Sequence, residues 1–293
     1  MNTTMRFLLG LLAVFGLLAV SCGSDDETTG GGGSSDVSCD LGDLELATTD
    51  TLTVATGDPA FPPWIGVGDD NFDSPESQTG FEGGLVYAIA ANMGFSDDQV
   101  VWVRTGFDEA IAPGSKDWDF NIQQYSITDA REEVVDFSDP YYATRQALVT
   151  FPDSPYAGAA SIDDLKDATL GAAIGTTSLD FIADVIQPDN DPNVYDENVD
   201  LEAAMRAGQI DGLVVDVPTA YFVTAVQVEG SIIVGQFEAE AAAPDQFGLL
   251  FSDGNSLVSC VNQALGELKD DGTMQSLEDE WLTQDGGIRI IAG

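Results

Sequence analysis

TLGAAIGTTSLDFIADV, residues 169–185, changes its hydrophobic period halfway along. Thr169 to Ile174 is an apolar run of strand length, Gly175 permits a tight turn, and from Thr177 to Val185 apolar residues recur at helical spacing. A strand running through a glycine turn into a helix is the unit of parallel α/β folds. The alternation continues downstream with a helix over 201–207, a strand over 212–215, a helix over 217–226 and a strand over 232–234. Upstream lie a strand over 145–151 and a helix over 162–166. An earlier round reads strand 52–55, helix 83–93, strand 100–103, helix 107–111 stopped by Pro113-Gly114, and strand 119–122. Phe247 to Phe251 reads as a strand, and helices follow over 256–269 and 273–282, parted by Asp270-Asp271-Gly272. The pattern predicts parallel-rich sheets covered by helices, in two blocks of about 100 residues each.

The chain has 293 residues, 44% of them hydrophobic, which is apolar material for one large domain or two smaller ones and excludes a coiled coil, a collagen or a wholly disordered chain. Nine basic residues against 51 acidic ones give a net charge of −42, a field that repels nucleic-acid backbones and anionic lipid surfaces. Nucleic acid is excluded as a partner. The chain has no histidine, which removes Ser/His and Cys/His nucleophile systems and the commonest transition-metal ligand. No metal or cofactor site is expected.

Met1 to Ser21 carries one charge, Arg6, ahead of an apolar run from Phe7 to Val20 that suits an export signal. Ser21-Cys22 closes the run and a Gly/Ser/Asp/Glu/Thr stretch follows, which resembles a bacterial lipoprotein signal, with Ala19 where that pattern usually has leucine. The resemblance implies cleavage before Cys22, acylation of Cys22, and an extracytoplasmic protein lipid-anchored to the cell membrane, at the cell surface or in the periplasm. Residues 22–38 lack apolar periodicity and read as a flexible tether. In an oxidising compartment Cys39 and Cys260 are either one bridge or two buried thiols.

Four segments in order then resemble the bacterial extracellular solute-binding proteins of family 3, the polar amino-acid capture subunits of ABC importers. They are GDPAFPPW (57–64), FNIQQYSITDAREEVVDFSDPYY (120–142), GAAIGTTS (171–178) and AGQIDGLVVDVPTAY (207–221). The resemblance implies a two-lobed, periplasmic-binding-protein-like type II α/β fold with two hinge crossings, lobe I over 39–142 and 244–293, and lobe II over 143–243. Cys39 and Cys260 then share lobe I, which favours the bridge.

A free amino acid shut in a cleft needs partners for a carboxylate and an ammonium. By the same resemblance, Arg131 grips the carboxylate, with backbone N–H groups of Ser126 and Thr177 completing the shell. Asp216 receives the ammonium, helped by the Ser126 hydroxyl and the Gln124 carbonyl. Phe61 and Phe107 sandwich the side chain, and Asp58, Gln123 and Trp64 lie nearby, Asp58 favouring a cationic ligand. Each has a plainer reading: Arg131 paired with Glu132, Glu133 or Asp136, Asp216 as a helix cap, and Phe107 and Trp64 as core. The family often has small residues where Gln123 and Gln124 stand, so these two either narrow the cleft or add an amide contact. The expected function is capture of an L-amino acid by hinge closure, by a monomer serving ABC permease membrane subunits, and not an enzyme. The alternatives are a same-fold dehydratase and a ligand-sensing receptor subunit.

Overall fold

Leu52–Thr56 is buried at every position, as a strand covered by helices on both faces requires. It sits inside a five-stranded sheet of order Val100–Arg104, Leu52–Thr56, Phe120–Asn121, Leu250–Ser252, Val135–Phe137. The first three strands are parallel, and Leu250–Ser252 runs antiparallel to both its neighbours. This computed structural model describes residues 38–68, 70–238, 243–282 and 287–293. The expected leader and Cys22 lie outside the described residues, as does the tether except for Ser38.

The helix Leu257–Asp270 turns Leu257, Cys260, Val261, Ala264, Leu265 and Leu268 inward, a one-sided apolar stripe at helical spacing. That stripe joins Leu85 and Ile89 of the helix Phe81–Asn92 and Leu52 of the sheet in one core. Cys260 is bonded to Cys39, with Cα atoms 5.4 Å apart and 221 residues between them in sequence. A loop of that length lowers the entropy of the unfolded chain by an amount worth about 5 kcal/mol in the loop-closure model.

The second sheet has six strands in the order Ile290–Ala292, Ile232–Glu238, Gln146–Thr150, Gly212–Asp216, Leu170–Ala173, Asn193–Tyr195. Between the sheets, Tyr142–Thr144 pairs antiparallel with Asp245–Phe247 in a two-stranded ladder that belongs to neither. There the chain passes from one lobe to the other and back.

Three local departures from the sequence pattern have physical causes. The apolar run 247–251 is split between the crossing ladder and the first sheet, because Gly248 bends against Ile127 and Phe137 and donates its N–H to Tyr125 O at 3.0 Å. The helices beginning at Thr177 and Val217 each end in a π turn, Ile182–Ile186 and Val223–Gln227, that tucks Ile182, Ile186 and Val223 into the lobe cores. The C-terminal segment corrects the expected allotment of 244–293 to lobe I. Ile290–Ala292 adds in parallel to Ile232–Glu238 of the second sheet, where Ile291 is fully buried and Gln236 N–H donates to Arg289 O at 2.8 Å.

Candidate functional site

A cavity opens between the two sheets, beside the crossing ladder, and Arg131 and Asp216 both line it. Arg131 sits in the short helix Asp129–Glu132, whose N-cap Thr128 accepts from the Arg131 N–H at 3.3 Å. Its guanidinium donates to Ser126 O at 2.6 Å in its own lobe and to Gly175 O at 2.9 Å in the other. The Phe107 ring lies under it, 5.4 Å from the guanidinium carbon. Among the described residues Arg131 makes no ion pair, so the plainer reading, a partner in Glu132, Glu133 or Asp136, finds no support. Burial pulls its pKa below the ordinary arginine value, with Tyr125 and then nearby carboxylates opposing that shift. Two carbonyls occupy two of the five guanidinium donors, leaving capacity for an anion.

Gly175 adopts φ of +71°, and a Cβ there would collide with the carboxylate of Asp108 from the facing lobe. The turn is thus glycine both for its backbone and for the approach of the other lobe. Beyond it Thr176 caps the helix Thr177–Phe181, so the Thr177 N–H belongs to an unsatisfied first turn. The Thr177 hydroxyl meets the Ser126 hydroxyl across the cleft at 3.1 Å. Ser126 forms an isolated bridge opposite Phe247, in which Tyr125 O and Ile127 N make the hydrogen bonds and the Ser126 N–H takes no part.

Asp216 ends the strand Gly212–Asp216 and caps the helix Val217–Phe222, its Oδ1 accepting from Thr219 N–H at 2.9 Å. The plainer reading of Asp216 as a cap is therefore present together with its place on the cavity wall. Burial pushes its pKa up to about 6, hydrogen bonds from Thr219 oppose that, and Asp245 adds to it. Trp64 Nε1–H donates to Thr219 Oγ1 at 3.2 Å, tying the opposite lobe to the residue that holds Asp216.

Trp64 is core and wall at once: it lines the cavity, is 2% exposed, and packs edge-on against Phe81, Tyr142 and Phe247. Phe61 also lines the cavity, edge-on to Phe72. The Phe107 ring lies 4.6 Å from that of Tyr125 in a stacked pair and supports Arg131. Gln123 lines the cavity and accepts from Tyr125 OH at 3.0 Å, whereas the Gln124 amide is turned toward Glu82, to which its Nε2 donates at 2.5 Å. Asp58 is exposed and does not line the cavity.

Sequence reasoning did not single out Glu82, Thr219, Gln146, Asp196 or Glu197. Gln146, buried on the central strand of the second sheet, donates to Asp245 at 2.7 Å and accepts from Ser178 at 2.7 Å, and both Gln146 and Ser178 line the cavity. Asp196 and Glu197, both exposed, line the cavity from lobe II, and partial desolvation raises the Glu197 pKa, helped by Asp200, Asp108, Asp196 and Asp58. Nothing distinguishes these carboxylates from the remaining acids until the chain is folded.

The family model of bacterial extracellular solute-binding proteins, family 3, matches residues 52–284. L-cystine-binding protein TcyJ of Escherichia coli (strain K12) is 30% identical over 228 residues, covering 77% of this chain and 80% of the relative. Arginine-binding extracellular protein ArtP of Bacillus subtilis (strain 168) is 27% identical over 70% of this chain and 78% of its own length. The solved structure of an ancestral arginine-binding protein bound to arginine superposes with a TM-score of 0.66 at 28% identity, covering 80% of this chain and 99% of that one. All three are described as binding proteins.

Proposed function

The chain belongs to the bacterial extracellular solute-binding proteins, family 3, and from that premise we propose that it captures a free L-amino acid between its lobes and delivers it to the membrane subunits of an ABC importer. The observation that carries this reading is a single cavity lined by a buried guanidinium from one lobe and a half-buried carboxylate from the other. Arg131 takes the α-carboxylate together with the N–H groups of Ser126 and Thr177. Asp216 takes the α-ammonium with the Ser126 hydroxyl and the Gln124 carbonyl. Phe61, Phe107 and Trp64 wall the side chain and Gln123 offers it an amide, and the Phe107 ring also supports Arg131.

The side chain it prefers is cationic. Asp196 and Glu197 make the lobe II wall acidic, Asp108 and Asp58 are close enough to act on Glu197, and two of the relatives compared bind arginine. Ligand capture stabilises the closed arrangement through the contacts that span the cleft, from Arg131 to Gly175, Ser126 to Thr177 and Trp64 to Thr219. The lobes of this clam-shell are 39–142 with 244–282, and 143–243 with the C-terminal strand. We further propose that the protein works as a monomer, outside the cytoplasmic membrane, held there by lipid on Cys22. Among the described residues no helix is long and apolar enough to cross a membrane.

Calorimetric titration of the ligand-stripped chain against the twenty amino acids and cystine tests the reading. The expected result is one-to-one binding, strongest for arginine or lysine, without turnover. Silence across the whole panel would overturn it. Mass spectrometry of the membrane fraction tests the anchor: a Cys22 without acyl chains removes it.

A further inference from the structure

We propose that Glu82, which does not touch the cavity, is the positioning residue of its ammonium end: it holds Gln124 so that the backbone carbonyl, and not the side-chain amide, is offered to the ligand, and it places a second negative charge behind Asp216. This rests on the amino-acid reading of the cleft. Glu82 is the second residue of the helix Phe81–Asn92 and is completely buried. Its Oε1 accepts from the Gln124 N–H at 2.9 Å and from the Tyr141 hydroxyl, and its Oε2 accepts from Gln124 Nε2 at 2.5 Å.

Both hydrogen-bond donors of Gln124 therefore point at one carboxylate in the lobe I interior. Gln124 holds φ of +51°, a left-handed conformation that disfavours a residue with a Cβ and persists only when its surroundings enforce it. The two hydrogen bonds that Gln124 donates to Glu82 supply that enforcement. The Gln124 carbonyl accepts no backbone hydrogen bond among the described residues, and Gln124 lines the cavity. The large side chain at this position is thus stored behind the wall.

Among the described residues Glu82 has no cationic partner. The groups that act on it are Tyr141, Gln124 and Asp216; Tyr125 lies within its field, and Asp245 acts on Asp216 in turn. Burial first, and then Asp216, push the Glu82 pKa up to about 7. An ammonium docking at Asp216 adds the missing positive charge and favours the ionised form of both carboxyls. By linkage, docking expels protons wherever those carboxyls are part-protonated, and affinity weakens as pH falls through their values.

The test is the dissociation constant of L-arginine from pH 5 to pH 8 for the wild type, Glu82→Gln and Gln124→Ala, with proton release read from calorimetry in two buffers of different ionisation enthalpy. If L-arginine gives no heat, the probe is whichever of the twenty amino acids or cystine does. Wild type is expected to release protons and to lose affinity as pH falls from 8 to 5. Glu82→Gln is expected to bind about tenfold more weakly at pH 8, to release fewer protons and to show a shallower loss of affinity with pH. Gln124→Ala removes one donor to Glu82 and moves the onset of that loss to higher pH, a readout that survives if Glu82→Gln does not fold. Profiles in either folded variant that parallel the wild type overturn the assignment alone. A wild type that binds none of the twenty and no cystine overturns the cleft reading and the assignment with it.

Discussion

The two charged ends of the cleft are built differently. Arg131 reaches across: one of its carbonyl partners is Ser126 in lobe I and the other is Gly175 in lobe II. Asp216 stays local, capping the helix that begins one residue after it, and its cap residue Thr219 takes a hydrogen bond from Trp64 of the far lobe. A cation that reaches across makes closure and carboxylate binding parts of one event. An anion fixed by its own helix keeps its place whether the cleft is open or shut.

The largest expected effect therefore falls on Arg131. Arg131→Ala is expected to weaken amino-acid binding by at least 1000-fold, about 4 kcal/mol, because a charged bidentate partner and an interlobe contact go together. Arg131→Lys, which keeps the charge without the fork, recovers only part of it. Titration calorimetry reads both, and full affinity in Arg131→Ala would sink the assignment. Next comes Asp216, where two substitutions separate its roles. Asp216→Asn keeps a competent cap and should lose roughly 100-fold in affinity with little change in melting temperature, whereas Asp216→Ala should also lose about 1 kcal/mol of stability with the cap. Equal stability of the two variants by thermal unfolding would show that the cap is idle.

Trp64→Phe removes the indole donor to Thr219 while keeping an aromatic wall. It is expected to cost roughly three- to tenfold in affinity, about 1 kcal/mol, and to show less ligand-induced compaction in solution scattering. Unchanged affinity and compaction would confine Trp64 to packing. The smallest effect is on stability against pH. Burial raises Glu82 and Glu202 to about 7 and Asp216 to about 6, so between the ordinary carboxylate values and neutrality the folded chain binds more protons than the unfolded one. Stability is then greatest at the acid side of that window and falls as pH rises through it. The melting temperature of the ligand-stripped protein should drop from pH 5 to pH 7.5, and Glu202→Gln should flatten the slope without altering binding. A melting temperature that climbs over that range contradicts it.

The split between what could and could not be read from the sequence follows the range of the interactions. Arg131, Ser126, Thr177 and Asp216 stand in motifs whose local form is set within a few residues: a Thr cap, a glycine turn, a strand running into a helix. Their convergence on one cavity was expected from the family resemblance, and the fold brings all four to its wall. Asp58 stands in an equally clear motif yet is exposed, because whether a loop side chain points in or out depends on what packs beneath the loop. Phe107 was legible as an aromatic residue at the site and lines the cavity with Phe61, but that its ring also lies under Arg131 and stacks on Tyr125 could not be read from the sequence. The Gln123-Gln124 pair posed a choice between narrowing the cleft and adding an amide contact, and the fold treats the two residues differently.

By itself the amino-acid order determined the alternation of strands and helices and the classes of chemistry the chain lacks, since periodicity, composition and capping are properties of neighbours along a chain, while the residues expected at the cleft came from the family resemblance of four segments. Tertiary structure alone decided that Cys39 and Cys260 meet, that Ile290–Ala292 closes the edge of the second sheet and that one carboxylate among 51 acidic residues, Glu82, lies sealed behind Gln124. Each of these depends on burial and on pairing between segments tens to hundreds of residues apart, and desolvation acts on a side chain only once distant segments have excluded the water around it.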